Sequence, residues 1–185
     1  MADIGGELQA RRARILAGVR LLALDVDGTL TDGRVIYAGS GGAVNEVQAF
    51  HVQDGQGLVW LQRAGIAVAW ISGRGSEPTR RRAEELGVAE LHLRAGPKER
   101  VLAEVQERLG IAVEHTAAMG DDLPDLGLKR RAAFFAAPAD ARAEVRAAAD
   151  LVTSARGGRG AVRELAEAIL AAQGRWPEIA AAGAG

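Results

Sequence analysis

The chain has 185 residues, with 23 Lys and Arg against 24 Asp and Glu, a formal net charge of −1 and a pI near 6.3. That balance excludes the basic footprint of a nucleic-acid-binding protein, and the length suits a single domain, residues 1–185, with a sizeable core. The absence of cysteine excludes disulfides, thiolate zinc and iron–sulfur clusters.

Residues 1–20 hold four arginines without an apolar run before a cleavage site, so a secretory signal is not expected. No stretch approaches the ~20 apolar residues of a membrane span. A cytoplasmic protein without membrane attachment is the expectation. Residues 7–18 predict a short amphipathic helix with Leu8, Ile15 and Leu16 on its apolar side.

Leu21 to Leu24 is an apolar run of the kind buried on both faces of a sheet. It ends in Asp25-Val26-Asp27-Gly28-Thr29, with Gly28 suited to a tight turn. Period two sets Asp25 and Asp27 on one side, at the end of the strand where open α/β sheets place their ligands. Carboxylates crowded there repel unless a cation or a shared proton relieves them, and a hard dication such as Mg²⁺ suits carboxylate oxygens. A calcium loop does not fit, because Thr29 and Leu30 stand where an acid and a glycine are required.

Arg34 to Tyr37, the Gly39-Ser40-Gly41-Gly42 turn and an extended run from Val44 to Val52 predict a β-hairpin over about 34–52. The turn is no dinucleotide fingerprint, because Val44 takes the place of the last glycine. A helix is expected from Asp54, read as its N-cap, to Gly65. A buried strand follows at Ile66–Ile71, ending in Ser72-Gly73-Arg74. Ser76 caps the next helix and Gly87 ends it. Ala89–Leu93 is a short strand, Lys98–Leu109 a helix, and Thr116–Met119 a strand running into Gly120-Asp121-Asp122-Leu123-Pro124-Asp125. Strands at Ala133–Ala136 and Leu151–Val152 flank a helix over 140–149. Gly157 to Gly160 opens a last helix to Ala172, and the tail from Gly174 to Gly185 reads as loose, although Trp176 is an odd residue to leave in solvent. This alternation predicts an α/β, Rossmann-like three-layer sandwich with a mainly parallel sheet, a β-hairpin flap and no separate cap domain.

Taken singly, Ser72 suits a turn, Lys98 a solvated helix start and Asp121-Asp122 a helix cap. Taken together, they stand at successive strand ends that right-handed crossovers gather at one rim.

Asp25-Val26-Asp27-Gly28-Thr29, Ser72, Lys98 and Gly120-Asp121-Asp122…Asp125 resemble the four ordered motifs of the haloacid-dehalogenase superfamily of phosphatases. The resemblance implies Asp25 as nucleophile, Asp27 as general acid and base, and Ser72 and Lys98 as holders of the phosphoryl oxygens. It further implies Mg²⁺ on Asp25, Asp27 and Asp121, with Asp122 close behind. Receiver domains also use Asp, Lys and Mg²⁺, but their acidic pair precedes the phosphoacceptor Asp, whereas Asp121-Asp122 follows it here.

Over Leu21 to Arg175 the chain resembles more closely the 3-deoxy-D-manno-octulosonate 8-phosphate phosphatases of lipopolysaccharide core sugar synthesis. Thr31-Asp32-Gly33, Phe50 to Gly55, Gly57, Ser72-Gly73-Arg74, Arg82, Leu86-Gly87 and Gly157 to Glu164 carry this likeness. It implies substrate contacts at Asp27, His51, Val52, Gln53, Asp54, Gly55, Arg74, Arg82 and Lys98. It also implies a capless homotetramer whose lid comes from a neighbouring subunit, and only the hairpin fits between Asp27 and Ser72 here. The family's two loop arginines are replaced by Gln53 and Val59, and the hairpin is longer than usual. A related phosphatase of nine-carbon sugar-acid 9-phosphates is therefore the alternative, ahead of a silent scaffold relative.

Overall fold

The structure is a computed structural model that describes residues 4–39 and 44–182. In chain order its helices are α1 (Ile4–Ala17), α2 (Val52–Arg63), α3 (Glu77–Glu85), α4 (Lys98–Leu109), α5 (Leu126–Lys129), α6 (Ala143–Ala148), α7 (Ala161–Ala172) and α8 (Trp176–Ala182). The strands are β1 (Leu21–Leu24), β2 (Ile36–Ala38), β3 (Asn45–Val47), β4 (Ala67–Ile71), β5 (Glu90–His92), β6 (Thr116–Met119), β7 (Phe134–Ala137) and β8 (Leu151–Val152).

Six strands form one parallel sheet in the order β5-β4-β1-β6-β7-β8. β1 lies between β4 and β6, with Leu24 level with Trp70 on one side and Met119 on the other. The chain winds outward from β1 to β5, then returns to β6 on the opposite flank. That reversal opens a crevice at the carboxyl end of β1, the place where open α/β sheets bind ligands.

Period two divides the buried apolar residues between two faces. Leu22 and Leu24 join Trp70, Leu58, Leu61, Leu165 and Ile169 beneath α1, α2 and α7. Leu21 and Ala23 join Ile71, Leu102, Val105 and Phe135 beneath α4, α5 and α6. Each fully buried leucine of β1 contributes about 1.5–3 kcal/mol relative to exposure. The three-layer α/β/α architecture is the one the sequence predicts, with a main sheet that is wholly parallel among the described residues.

Several boundaries differ from the sequence expectation, each for a physical reason. The extended run expected to Val52 keeps its ladder only to Val47, which pairs with Ile36 at the start of β2. Its side-chain alternation continues, with Glu46, Gln48 and Phe50 turned inward and Val47 and Ala49 outward. Residues 40–43 of the expected glycine turn lie outside the described residues. α2 begins at Val52 rather than Asp54, and the residue at its cap is His51. Trp176 is not left in solvent: α8 folds back, and Trp176 meets Trp60 edge-on at 5.6 Å, with the Arg163 guanidinium 4.2 Å from the Trp60 ring. Ser76 does cap α3, accepting the Thr79 N–H at 3.3 Å.

Candidate active site

β1 carries Asp25 directly into the crevice, where it is 5% exposed. The loop beyond it turns tightly, with the Leu30 and Thr31 N–H groups both donating to Val26 O. Gly28 has φ +99, and a Cβ there would lie 2.2 Å from the Asp121 carboxylate. Only glycine allows both that conformation and that approach. Thr29 Oγ1 donates to Asp121 Oδ1 at 3.1 Å, joining the loop to the end of β6. The loop before α7 packs on the same turn: Gly158 N–H donates to Thr29 O at 2.9 Å, and a Cβ on Gly157 would strike the Gly28 carbonyl. The glycines at 157 and 158 thus do more than open a helix.

Beyond β6 the acids divide. Asp121 faces Asp25, but Asp122 is exposed and its Oδ1 accepts the Leu123 N–H at 2.8 Å. The third acid of the cluster is Asp125, which is 1% exposed. Its Oδ2 accepts the Asp121 and Asp122 N–H groups at 2.9 and 3.0 Å, and its Oδ1 accepts from Lys98 Nζ at 2.5 Å. The sequence motif includes Asp125 but assigns it no role, and the structure supplies its contacts. The available signal was its place three residues after Asp122, where a carboxylate closes a capping box.

Lys98 is the first residue of α4 and bonds both Asp25 and Asp125. A cation at a helix N-terminus meets the unfavourable end of the dipole. The two carboxylates therefore set its position.

Carboxylate oxygens of Asp25, Asp121 and Asp125 lie within 4.8 Å of one another. Burial and then the Asp125 carboxylate push Asp25 well above the ordinary carboxylate range, against the pull of Lys98. The same two causes raise Asp121 to about 6. For Lys98, burial works against the charge, but Asp25 and then Asp125 outweigh it and hold the ammonium above its usual value. Three carboxylates against one ammonium leave an excess of negative charge. A donor set of carboxylate oxygens without His or Cys fits a hard dication.

Asp27 answers to a different set of neighbours. Ser72 Oγ donates to Asp27 Oδ2 at 3.1 Å, Gln48 Nε2 donates to Oδ1 at 2.8 Å, and Arg74 Nε lies 3.5 Å from Oδ1. The Arg74 guanidinium also pairs with Glu46 at 2.5 Å, and the Arg74 main-chain N–H donates to Ser72 Oγ at 3.0 Å. The fold thus gathers Asp25, Asp27, Ser72, Arg74, Lys98 and Asp121 at one crevice.

The segment His51 to Gly55 is built differently. Val52 is 76% exposed and Gln53 is exposed. Asp54 is buried, and its carboxylate accepts the Gly160 N–H at 3.1 Å and the Arg163 N–H at 2.7 Å. It caps α7, not α2, through both carboxylate oxygens. Burial raises its pKa, with the two backbone donors opposing. Gly55 lies against Arg82, where a Cβ would fall 2.5 Å from Nη2, and Arg82 pairs with Glu85 at 3.3 Å.

A wholly parallel sheet that reverses its winding at an aspartate-tipped β1, with Ser72, Lys98 and Asp121 at the neighbouring strand ends, defines a hydrolase fold of the haloacid-dehalogenase superfamily. No protein-family model matches the chain. It is 40% identical to 3-deoxy-D-manno-octulosonate 8-phosphate phosphatase of Haemophilus influenzae over 86% of this chain and 87% of that protein. The enzyme of the same name from Escherichia coli K12 is 41% identical over 86% and 84%. A crystal structure of the Moraxella catarrhalis enzyme with magnesium ion, phosphate ion and KDO superposes with a TM-score of 0.88 at 40% identity, over 93% of this chain and 97% of that one. The chain belongs to the 3-deoxy-D-manno-octulosonate 8-phosphate phosphatase family.

Proposed function

We propose that this protein is a Mg²⁺-dependent phosphatase that hydrolyses 3-deoxy-D-manno-octulosonate 8-phosphate to the free sugar acid and phosphate. Its place is the supply of the lipopolysaccharide core sugar. The observation that carries the reading is Asp25 itself, buried at the sheet's switch point between Lys98 and the Asp121–Asp125 pair.

An Asp25 carboxylate oxygen attacks phosphorus, forming an aspartyl-phosphate as the bond to the sugar oxygen breaks. Asp27 gives its proton to that departing oxygen. It then takes a proton from the water that attacks the aspartyl-phosphate, and inorganic phosphate leaves with Asp25 restored. Splitting a very slow hydrolysis into two displacements lowers each barrier. The Lys98 ammonium and Ser72 hydroxyl hold the phosphoryl oxygens, since phosphoryl transfer depends chiefly on positioning and charge stabilisation. The carboxylates of Asp25 and Asp121 and the main-chain carbonyl of Asp27 would hold the metal, with Asp125 beside them. When bound, Mg²⁺ neutralises the carboxylate excess that would otherwise repel a phosphate dianion.

Arg74 and Arg82 offer guanidinium forks to the sugar acid's charged groups, and the His51–Gly55 segment contacts the sugar. Gln53 and Val59, in place of arginines, support a nine-carbon sugar-acid 9-phosphate as the second reading. The chain is one domain with the hairpin as a flap, and it works in the cytoplasm as a homotetramer in which a neighbouring subunit supplies the lid. Among the described residues no helix is long and apolar enough to cross a membrane. Ile36 and Val47 pair across the hairpin and are 41% and 43% exposed, which supports an assembly surface there.

Acid quenching during turnover, followed by peptide mass spectrometry, tests the mechanism. A phosphoryl adduct on the Asp25 peptide is expected, and Asp25→Asn should be folded, unlabelled and inactive. Turnover by Asp25→Asn near the wild-type rate would refute the assignment.

A further inference from the structure

The inward residues of the hairpin engage the ends of β1 and β4 or the loops beyond them. Glu46 pairs with Arg74, Gln48 reaches Asp27, and Phe50 stacks on Trp70 with ring centroids 6.1 Å apart. Of these, Gln48 has its bonding fully specified. Its Oε1 accepts from Ser76 Oγ at 2.6 Å and from Thr79 Oγ1 at 2.7 Å, and its Nε2 donates to Asp27 Oδ1 at 2.8 Å. Ser76 Oγ already accepts the Thr79 N–H, which leaves its proton for Gln48. An ionised carboxylate only accepts, so the amide nitrogen must face Asp27, and the amide oxygen is then left to the two hydroxyls.

We propose that Gln48 is a positioning residue that orients the Asp27 carboxylate toward the leaving group. Ser72 Oγ donates to Oδ2 and Gln48 Nε2 donates to Oδ1 in the substrate-free site, and once the Ser72 hydroxyl turns to a phosphoryl oxygen Gln48 still holds the carboxylate. Among the described residues, Oδ1 without Gln48 keeps the longer Arg74 contact at 3.5 Å, and Arg74 is shared with Glu46. Thr79 and Ser76, both buried on the first turn of α3, in turn keep Gln48 from flipping. The inference rests on the phosphatase reading above and adds a residue to it.

Leaving-group dependence separates positioning from bulk structure. A sugar alkoxide departs only if protonated, whereas dinitrophenolate departs as a stable anion and draws little on a general acid. Gln48→Met keeps the length of the side chain and removes its hydrogen bonds. Its kcat/KM should fall about tenfold or more on a sugar-acid phosphate that the wild type turns over. The loss on 2,4-dinitrophenyl phosphate should be at least several-fold smaller. Thr79→Val removes one of the donors that orient the amide, and should show the same selective loss in milder form. Equal losses on both substrates, or none, in Gln48→Met would overturn the proposal, and should that variant fail to fold, the same test is read from Thr79→Val. Wild-type protein inactive on both substrates would refute the phosphatase reading itself.

Discussion

Asp25 and Asp27 stand two residues apart, yet different groups hold their carboxylates: Lys98 holds Asp25, while Ser72 and Gln48 hold Asp27. Their environments differ as well. Asp25 is buried among Lys98, Asp121 and Asp125, whereas Asp27 keeps 19% of its side chain exposed and meets neutral donors and Arg74. Two carboxylates in different surroundings suit different roles, a nucleophile held by charge and an acid–base group held at the entrance. The repulsion expected between these two falls instead between Asp25 and the acids after β6.

Asp125 keeps those acids in place. Asp125→Ala removes the acceptor of the Asp121 and Asp122 N–H groups and one of the two carboxylates on Lys98. Stability measured by urea unfolding should fall by about 1–3 kcal/mol. Mg²⁺ affinity by calorimetry should weaken by about tenfold or more, as is usual when a supporting group is lost. Unchanged affinity would remove Asp125 from the account of the site.

Asp54 joins α2 to the start of α7 by accepting from Gly160 and Arg163. Asp54→Ala should cost about 1–2 kcal/mol, the usual loss on removing a helix cap. Unfolding midpoints at constant m-value measure this directly. A variant as stable as the wild type would show that the cap is energetically idle.

Asp121 gives the pH dependence a definite sign. Its folded value of about 6 exceeds the unfolded 3.8, so the folded state binds the proton more tightly. This contribution to stability is fully present below pH 3.8 and is lost as pH rises through about 6. Metal-free protein should therefore melt higher near about pH 5.5 than near about pH 7.5, and Asp121→Asn should narrow the difference. Added Mg²⁺ should restore stability at the higher pH by binding the ionised acids. A metal-free melting temperature that rises over this range, equally in both proteins, would contradict the assignment.

The outward face of the hairpin carries the assembly prediction. Wild-type protein should be a tetramer by light scattering. Val47→Asp places a charge on the exposed apolar pair with Ile36 and should lower the mass in solution. A tetramer that survives this change would move the assembly surface elsewhere.

Much of this was legible locally. β1, β6 and α4 were readable because a buried parallel strand is a continuous apolar run and α4 starts beside a proline. The crevice residues were readable because they end those strands. What escaped were residues defined by distant partners: Asp54, whose acceptors serve Gly160 and Arg163, and Trp176, whose neighbour is Trp60. Asp125 and Gln48 belong with them, since nothing local marks one as Lys98's second anchor or the other as Asp27's donor.

The most direct test of the central claim is Mg²⁺-dependent phosphate release from a panel of sugar phosphates, read as kcat/KM. The panel holds 3-deoxy-D-manno-octulosonate 8-phosphate, deaminoneuraminate 9-phosphate, N-acetylneuraminate 9-phosphate and a simple hexose phosphate. The account predicts a large preference for the eight-carbon acid and loss of all release with EDTA. A preference for a nine-carbon acid would contradict the substrate assignment, and release that persists without metal would contradict the site.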